Sequence, residues 1–199
     1  MHRINRRDFT KTALAAAGLL AAGTPVALAG PASIIKRKIP SSGEAIPIMG
    51  LGTNRYGVGD SVDARAPLQE ALARFHELGG AVIDTAPSYR SSESVLGDLI
   101  TDLGIREDVF VATKVDRESG RDDSLAQTRD SARKLQTDAI DLMQVHSLRG
   151  WENNIPLLHD LKQDGRIRYV GLTTSRSSQY TEMEKAMLRH DLDFIQIDY

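Results

Sequence analysis

Asp84 closes the apolar run Ala81-Val82-Ile83, and Tyr89 stands five residues beyond it. Lys114 follows Val109 to Thr113, and His146 follows Leu142 to Val145. A carboxylate, a phenol, an ammonium and an imidazole thus sit at or just past the ends of three successive apolar runs. These are groups that donate, accept and stabilise protons and developing charge. In a parallel α/β fold the carboxyl ends of the strands carry the chemistry, and neighbouring strand ends lie side by side. Other chemistries find no residues. There is no Cys, hence no thiolate nucleophile, thiolate metal site or disulfide. No Walker lysine, Gly-x-Ser-x-Gly elbow or His-Glu-x-x-His occurs. His2, His76, His159 and His190 lack ligand spacing, so no metal site is expected.

The elements that must hold these groups alternate regularly. β-type runs occupy Ile48 to Thr53, Ala81 to Thr85, Val109 to Val115, Ile140 to Val145, Ile167 to Leu172 and Phe194 to Ile197. Their starts lie 33, 28, 31, 27 and 27 residues apart, the length of a strand, a loop and a helix. Helical apolar spacing fills the intervals: Leu68, Leu72, Phe75 and Leu78; Val95, Leu99 and Leu103; Leu125 to Leu135; Leu157, Leu158 and Leu161; Tyr180, Met183 and Met187. Alternating β and α elements imply a parallel sheet, because parallel neighbours need a crossover. An open doubly wound sheet or a (β/α)8 barrel satisfies that. A dinucleotide-binding open sheet should carry Gly-x-Gly-x-x-Gly at its first turn; Gly50-Leu51-Gly52 has Arg55 where the third glycine belongs.

The 199 residues carry 25 Lys+Arg against 27 Asp+Glu, a net charge of −2 that leaves no basic excess for nucleic acid. The first segment reads as an address. Arg6-Arg7-Asp8-Phe9-Thr10-Lys11 precedes an uncharged Ala/Gly/Leu stretch from Thr12 to Ile35 that contains Ala27-Leu28-Ala29. This order resembles a bacterial twin-arginine export signal, which implies the export machinery as a partner and the periplasm as destination. Its weak hydrophobicity and Pro25 suit a cleaved signal better than a stable membrane span. The expected domains are a signal at 1–29 and a 170-residue barrel domain at 30–199.

From Ile46 to Tyr199 the chain resembles the aldo/keto reductase family. The resemblance rests on Gly50-Leu51-Gly52-Thr53, Asp84-Thr85-Ala86 with Tyr89 and Ser92-Glu93, Lys114, Asp138 to His146, Gly165-Arg166-Ile167-Arg168-Tyr169-Val170-Gly171, and Gln196. It implies a (β/α)8 barrel and an NADPH-dependent reduction of aldehydes or ketones, with NADH a second candidate cofactor. It also implies a catalytic tetrad of Asp84, Tyr89, Lys114 and His146, and cofactor contacts from Thr53, Asp84, Thr173, Thr174 and Gln196. The hydride must come from the nicotinamide, since no side chain supplies one. Tyr89 would protonate the alkoxide. Bringing a phenol of pKa about 10 toward neutrality takes roughly 4 kcal/mol for a shift of about 3 units. A lysine ammonium about 4 Å away, at an effective dielectric near 20, supplies about that much. Asp84 would keep Lys114 charged and oriented, and His146 would donate to the substrate oxygen.

Two local departures stand out. Arg90 follows Tyr89 where the family has Gly, which implies a different loop shape, and Thr174 replaces the usual Asn. The resemblance also implies that the chain covers about the first six strands and five helices of the barrel, ending before the loops that grip the cofactor's phosphates. Such a fragment exposes its first and sixth strands as edges. Truncation relative to the gene is the favoured explanation, with a second copy covering the gap as the other. A non-catalytic binding or redox-sensing protein on the same fold is the alternative function. An isomerase or glycosidase barrel is weaker, because the fourth strand ends in His146 where paired carboxylates would be wanted. Trp151 is read as lining the substrate mouth or as packing. Arg166 and Arg168 read as polar residues opening a strand.

Overall fold

The computed structural model describes residues 34–198. The segment read as an export signal lies outside the described residues. A short antiparallel hairpin, β1 (Lys36–Lys38) and β2 (Ala45–Pro47), opens the described chain. None of the apolar runs read from the sequence falls here. The hairpin is short and partly exposed, so it lacks the long alternation that marks a strand.

Beyond it follow β3 (Gly50–Gly52), α1 (Val62–Glu77), β4 (Val82–Asp84), α2 (Ser92–Leu103), β5 (Phe110–Val115) and α3 (Arg121–Lys134). Then come β6 (Ile140–Val145), α4 (Trp151–Gln163), β7 (Ile167–Thr173), α5 (Tyr180–Arg189) and β8 (Phe194–Gln196). The strands β3 to β8 pair in sequence order and in parallel, each crossover made by one helix. Six strands and five helices form a half-barrel: the parallel order is what the alternation required, and the barrel form is what the family resemblance implied. Among the described residues β3 and β8 each have one neighbour only.

The central strands are buried on both faces, which is why β5 and β6 read as continuous apolar runs. Their outward residues, among them Val111, Val115, Met143, Val145, Val170 and Leu172, pack beneath the helices. The inward residues divide by level. At the amino end of the sheet Phe110, Tyr169 and Phe194 cluster with ring centroids 5.7 to 5.8 Å apart, closed below by Ile39 and Ile46 around the hairpin. At the carboxyl end the inward residues turn polar.

The amino end is also tied by charge. Asp141, 4% exposed, accepts from Arg106 at 3.0 Å, from Arg168 at 2.7 Å and from the Val111 N–H at 2.9 Å. Arg168 also pairs with Glu44 near the hairpin. Asp193 accepts from Lys162 and Ser41, each at 2.6 Å, and from the Val170 N–H at 2.9 Å. These bonds outweigh its burial and hold its carboxyl below the usual carboxylate value. Arg168 is thus a structural residue, as its place at the start of a strand suggested. Among the described residues no helix is long and apolar enough to cross a membrane, and no cluster of ligating side chains could hold a metal.

Candidate active site

Parallel register brings the polar residues to one end. Asp84 on β4 lies level with Ala112 on β5, and Lys114, one inward step further, lies level with Gln144 on β6. Lys114 is 3% exposed. Its ammonium donates to Asp84 Oδ1 at 2.6 Å and to the Thr85 carbonyl at 2.8 Å. Burial pulls its pKa below that of a free lysine, and the Asp84 carboxylate pushes back. Lys114 Nζ lies 5.3 Å from the centre of the Tyr89 ring, and that ring meets His146 edge-on with centroids 6.3 Å apart. The four residues read from the strand ends therefore lie together.

The electrostatics differ from the expectation in one respect. The Tyr89 phenol is held above its usual value, by burial and then by the negative charge of Asp84. Lys114 does not bring it down, because the ammonium is spent on Asp84 and the Thr85 carbonyl. His146 moves the other way: burial, with the charge of Lys114, pulls its imidazole below the usual histidine value, so it is neutral at pH 7.

The remaining expected residues form the flanks. Thr53 is fully buried, its hydroxyl donating to the Asp84 carbonyl at 2.9 Å, and Ser92 Oγ binds the Thr53 carbonyl at 2.8 Å. This ties β3 to β4 beside Asp84. Thr173 Oγ1 accepts from the Ser147 N–H at 2.9 Å and keeps its own proton to donate. Thr174 is committed elsewhere, donating to Gln179 Oε1 at 2.6 Å and accepting from the Arg176 N–H at 3.1 Å. Gln196 stands level with Thr173 across β7 and β8, exposed.

The sequence reading did not single out two buried polar residues, Gln144 in the floor and Glu93 behind β5. Gln144, 2% exposed, reaches from Asp84 Oδ2 to Gln196 Oε1, 3.4 Å from each. Gly171 opposite makes room for it, since a Cβ there would come within 2.8 Å of Gln144 Cγ. The signal was a polar residue two positions before His146 in an apolar run, hence on the same face of the strand. Glu93, 2% exposed at the start of α2, accepts from Thr113 Oγ1 at 2.7 Å, and burial raises its pKa. Trp151 belongs to the packing: it is 5% exposed and donates to Glu182 at 3.2 Å behind the rim.

The loop shape expected to suffer from Arg90 is instead accommodated. Arg90 takes φ +56°, the left-handed conformation a glycine would adopt at no cost. Ser147 and Leu148, just past His146, are also left-handed, at φ +54° and +61°.

A nicotinamide fits what is present. Asp84 Oδ2 receives only the long Gln144 contact, the Thr173 hydroxyl retains a donor and the Gln196 amide is exposed. Asp84 and Gln196 border an open cavity of about 620 Å³ between β3 and β8, lined also by Gly50, Gly52 and Gln144. Thr174, its hydroxyl already used, adds no free donor to the set.

Comparison with known proteins bears on the family and the fold. The chain is 34% identical over 166 residues to the uncharacterized oxidoreductase YqkF of Bacillus subtilis, covering 75% of this chain and 52% of the relative. It is 30% identical over 156 residues to the methylglyoxal reductase YeaE of Escherichia coli, covering 75% and 52%. It spans from a third to about half the length of the curated relatives it matches. The crystal structure of an aldo-keto reductase from Klebsiella pneumoniae in complex with NADPH superimposes with a TM-score of 0.69. The identity is 27%, over 83% of this chain and 59% of that one. Residues 48–199 match the sequence profile of the aldo/keto reductase family. With the strand order, the half-barrel and that match in agreement, the chain belongs to the aldo/keto reductase family.

Proposed function

We propose that the protein, as a whole, reduces aldehydes or ketones to alcohols with NADPH, Tyr89 acting as the general acid. The observation that carries this reading is the buried Lys114–Asp84 pair at 2.6 Å beneath Tyr89, with His146 against the same ring. Family relatives support it: a methylglyoxal reductase lies among them, and a solved neighbour holds NADPH. Bound NADPH would supply the hydride. Asp84 Oδ2, Thr173 and Gln196 would hold the nicotinamide riboside, with Thr53 fixing Asp84 in place.

The raised phenol pKa suits this direction of reaction. A Tyr89 that stays protonated across neutral pH is charged with its proton before the carbonyl arrives. Lys114, held by Asp84 and the Thr85 carbonyl, supports the ring from beneath and so positions the phenol. Neutral His146 donates a hydrogen bond to the substrate oxygen and adds no cation to a site that already holds one.

The test is NADPH consumption with a small aldehyde, measured by absorbance. Wild-type protein turns over and Tyr89→Phe does not; equal rates would overturn the reading. We further propose that residues 1–29 direct export by the twin-arginine route to the periplasm, leaving the barrel domain from 30 onward. The pattern from Arg6 to Ala29 supports this. A reporter fused after residue 35 should reach the periplasm and be retained in the cytoplasm when Arg6 and Arg7 become lysines. Export of both fusions would overturn it.

A further inference from the structure

The five loops that follow β3 to β7 each carry one arginine: Arg55, Arg90, Arg117, Arg149 and Arg176. All five are exposed, and among the described residues the only carboxylate near any of their side chains is Asp116, 4.0 Å from Arg149. The same loops hold three carboxylates, Asp60, Asp116 and Glu118. Asp60 is paired with Arg65 at 2.9 Å, and Asp116 is sunk and held by the Gln127 amide at 2.8 Å. Glu118 is exposed and in no ion pair among the described residues, so the mouth presents five guanidinium groups against one free carboxylate, although the chain as a whole is slightly acidic.

Three of these arginines stand on the loops next to Tyr89 and His146, and the fold holds their backbones firmly. The amide of Asn154, 1% exposed, donates to the carbonyl of Arg117 at 2.8 Å and to that of Arg149 at 2.9 Å, tying the two loops together. Arg90 is locked by the loop after β3. A Cβ on Gly57 would come within 2.6 Å of the Tyr89 carbonyl and 2.8 Å of Arg90 Cβ, so the two segments touch backbone to backbone. The left-handed conformation is thereby imposed, and a non-glycine side chain is kept where it costs stability. A strained cation at the mouth needs a reason that packing does not give, since the Arg90 side chain is exposed.

We propose that Arg90, Arg117 and Arg149 form a rim that selects carbonyl substrates bearing an anionic group, a carboxylate being the type case. The proposal rests on the reading that a carbonyl is reduced between Tyr89 and His146. Guanidinium forks match a carboxylate in two-bond geometry. Three of them on the loops beside Tyr89 and His146 pull an anionic substrate toward the site and hold its charged end outside while the carbonyl enters.

The experiment compares 4-carboxybenzaldehyde with its neutral counterpart of the same size, 4-carbamoylbenzaldehyde. The carboxylate should show a kcat/KM about ten-fold higher at low ionic strength, carried by KM, and the gap should close as salt is added. In Arg90→Gln and Arg149→Gln the two substrates' values converge. Equal values in wild type, or a preference that survives both variants, would overturn the proposal. So would a loss of NADPH affinity in the variants that matches the rise in KM, because the arginines would then serve the cofactor's phosphates. Independently of turnover, benzoate added to the protein should shift the Nε–H resonances of these arginines in nuclear magnetic resonance spectra. Failure of wild type to reduce either aldehyde sinks the reductase reading alone. The benzoate titration then decides the rim: shifts support it, and their absence overturns it.

Discussion

The two ends of the sheet treat charge in opposite ways. At the amino end the loops leading into the strands hold six carboxylates and two arginines, and the key groups there are satisfied in buried networks. Asp141 binds two arginines and a backbone N–H, and Asp193 binds Lys162, Ser41 and a backbone N–H. At the carboxyl end the arginines lack close partners, and three of the four described non-glycine residues with positive φ, Arg90, Ser147 and Leu148, sit beside Tyr89 or His146. One end stores its charges to hold the barrel, and the other leaves them available. This division of labour is the one expected of a parallel barrel, where stability and chemistry occupy opposite faces. It also says where each kind of damage should register.

The sharpest separation should come from Tyr89→Phe. Its hydroxyl has no hydrogen-bond partner among the described residues, so thermal stability should stay within about 0.5 kcal/mol of wild type. Turnover should fall by about 10²- to 10⁴-fold, the usual worth of a positioned proton donor. A large loss of melting temperature would show that the mouth is structural after all.

The converse is Asp141→Ala. It leaves Arg106 and Arg168 without their shared carboxylate and the Val111 N–H without an acceptor, inside a site 4% exposed. Breaking a buried network of this kind costs about 3–5 kcal/mol. For a domain of this size that lowers the melting temperature by roughly 6–20 °C. Below that temperature the kcat of the folded fraction should match wild type. Altered kcat with unchanged melting would erase the contrast between the ends.

That contrast was only half legible in the sequence. The strand ends carrying Asp84, Lys114 and His146 were plain, because continuous apolar runs such as Ile140 to Val145 announce a strand buried on both faces, and a polar residue after one is conspicuous. The networks were not. Asp141 meets Arg106 across 35 residues and Arg168 across 27, and nothing local marks a carboxylate inside a strand as a partner of both. Gln144 was hidden for the same reason, its partners lying 60 and 52 residues away. The direction of the Tyr89 pKa was missed for another reason. Proximity of a lysine was foreseen, but the direction of a pKa depends on where that charge is already spent, and the 2.6 Å bond to Asp84 spends it.

A smaller effect, and of opposite sign, should follow from Arg90→Gly. A left-handed residue with a side chain costs roughly 1–2 kcal/mol relative to one without. Part of that gain is returned because glycine is freer in the unfolded chain. The variant should therefore melt a little higher than wild type while losing preference for the carboxylate substrate. Stability gained at the expense of selectivity would mark Arg90 as a residue kept for function. A lower melting temperature would show that the arginine side chain packs productively, and would return the mouth to the same logic as the opposite end.

The subtlest test lies between the two ends, at Glu93, whose carboxyl is buried under α2 with the Thr113 hydroxyl as its bonded partner. Burial raises its folded-state pKa above the unfolded value of 4.5. Between those two values the folded protein holds a proton that the unfolded chain has released, so stability falls as pH rises through that window. Below 4.5 both states are protonated and the contribution is fully present. Glu93→Gln keeps the shape and an oxygen able to accept from Thr113, but cannot ionise. Its denaturation free energy should therefore decline less between pH 5 and 8 than that of wild type, measured by urea unfolding at several pH values. Parallel pH profiles would mean that Glu93 stays ionised when folded, compensated by charge in the way Asp141 is. The buried acid beneath the mouth would then belong with the satisfied networks of the amino end, and the boundary between the two regimes would lie above α2.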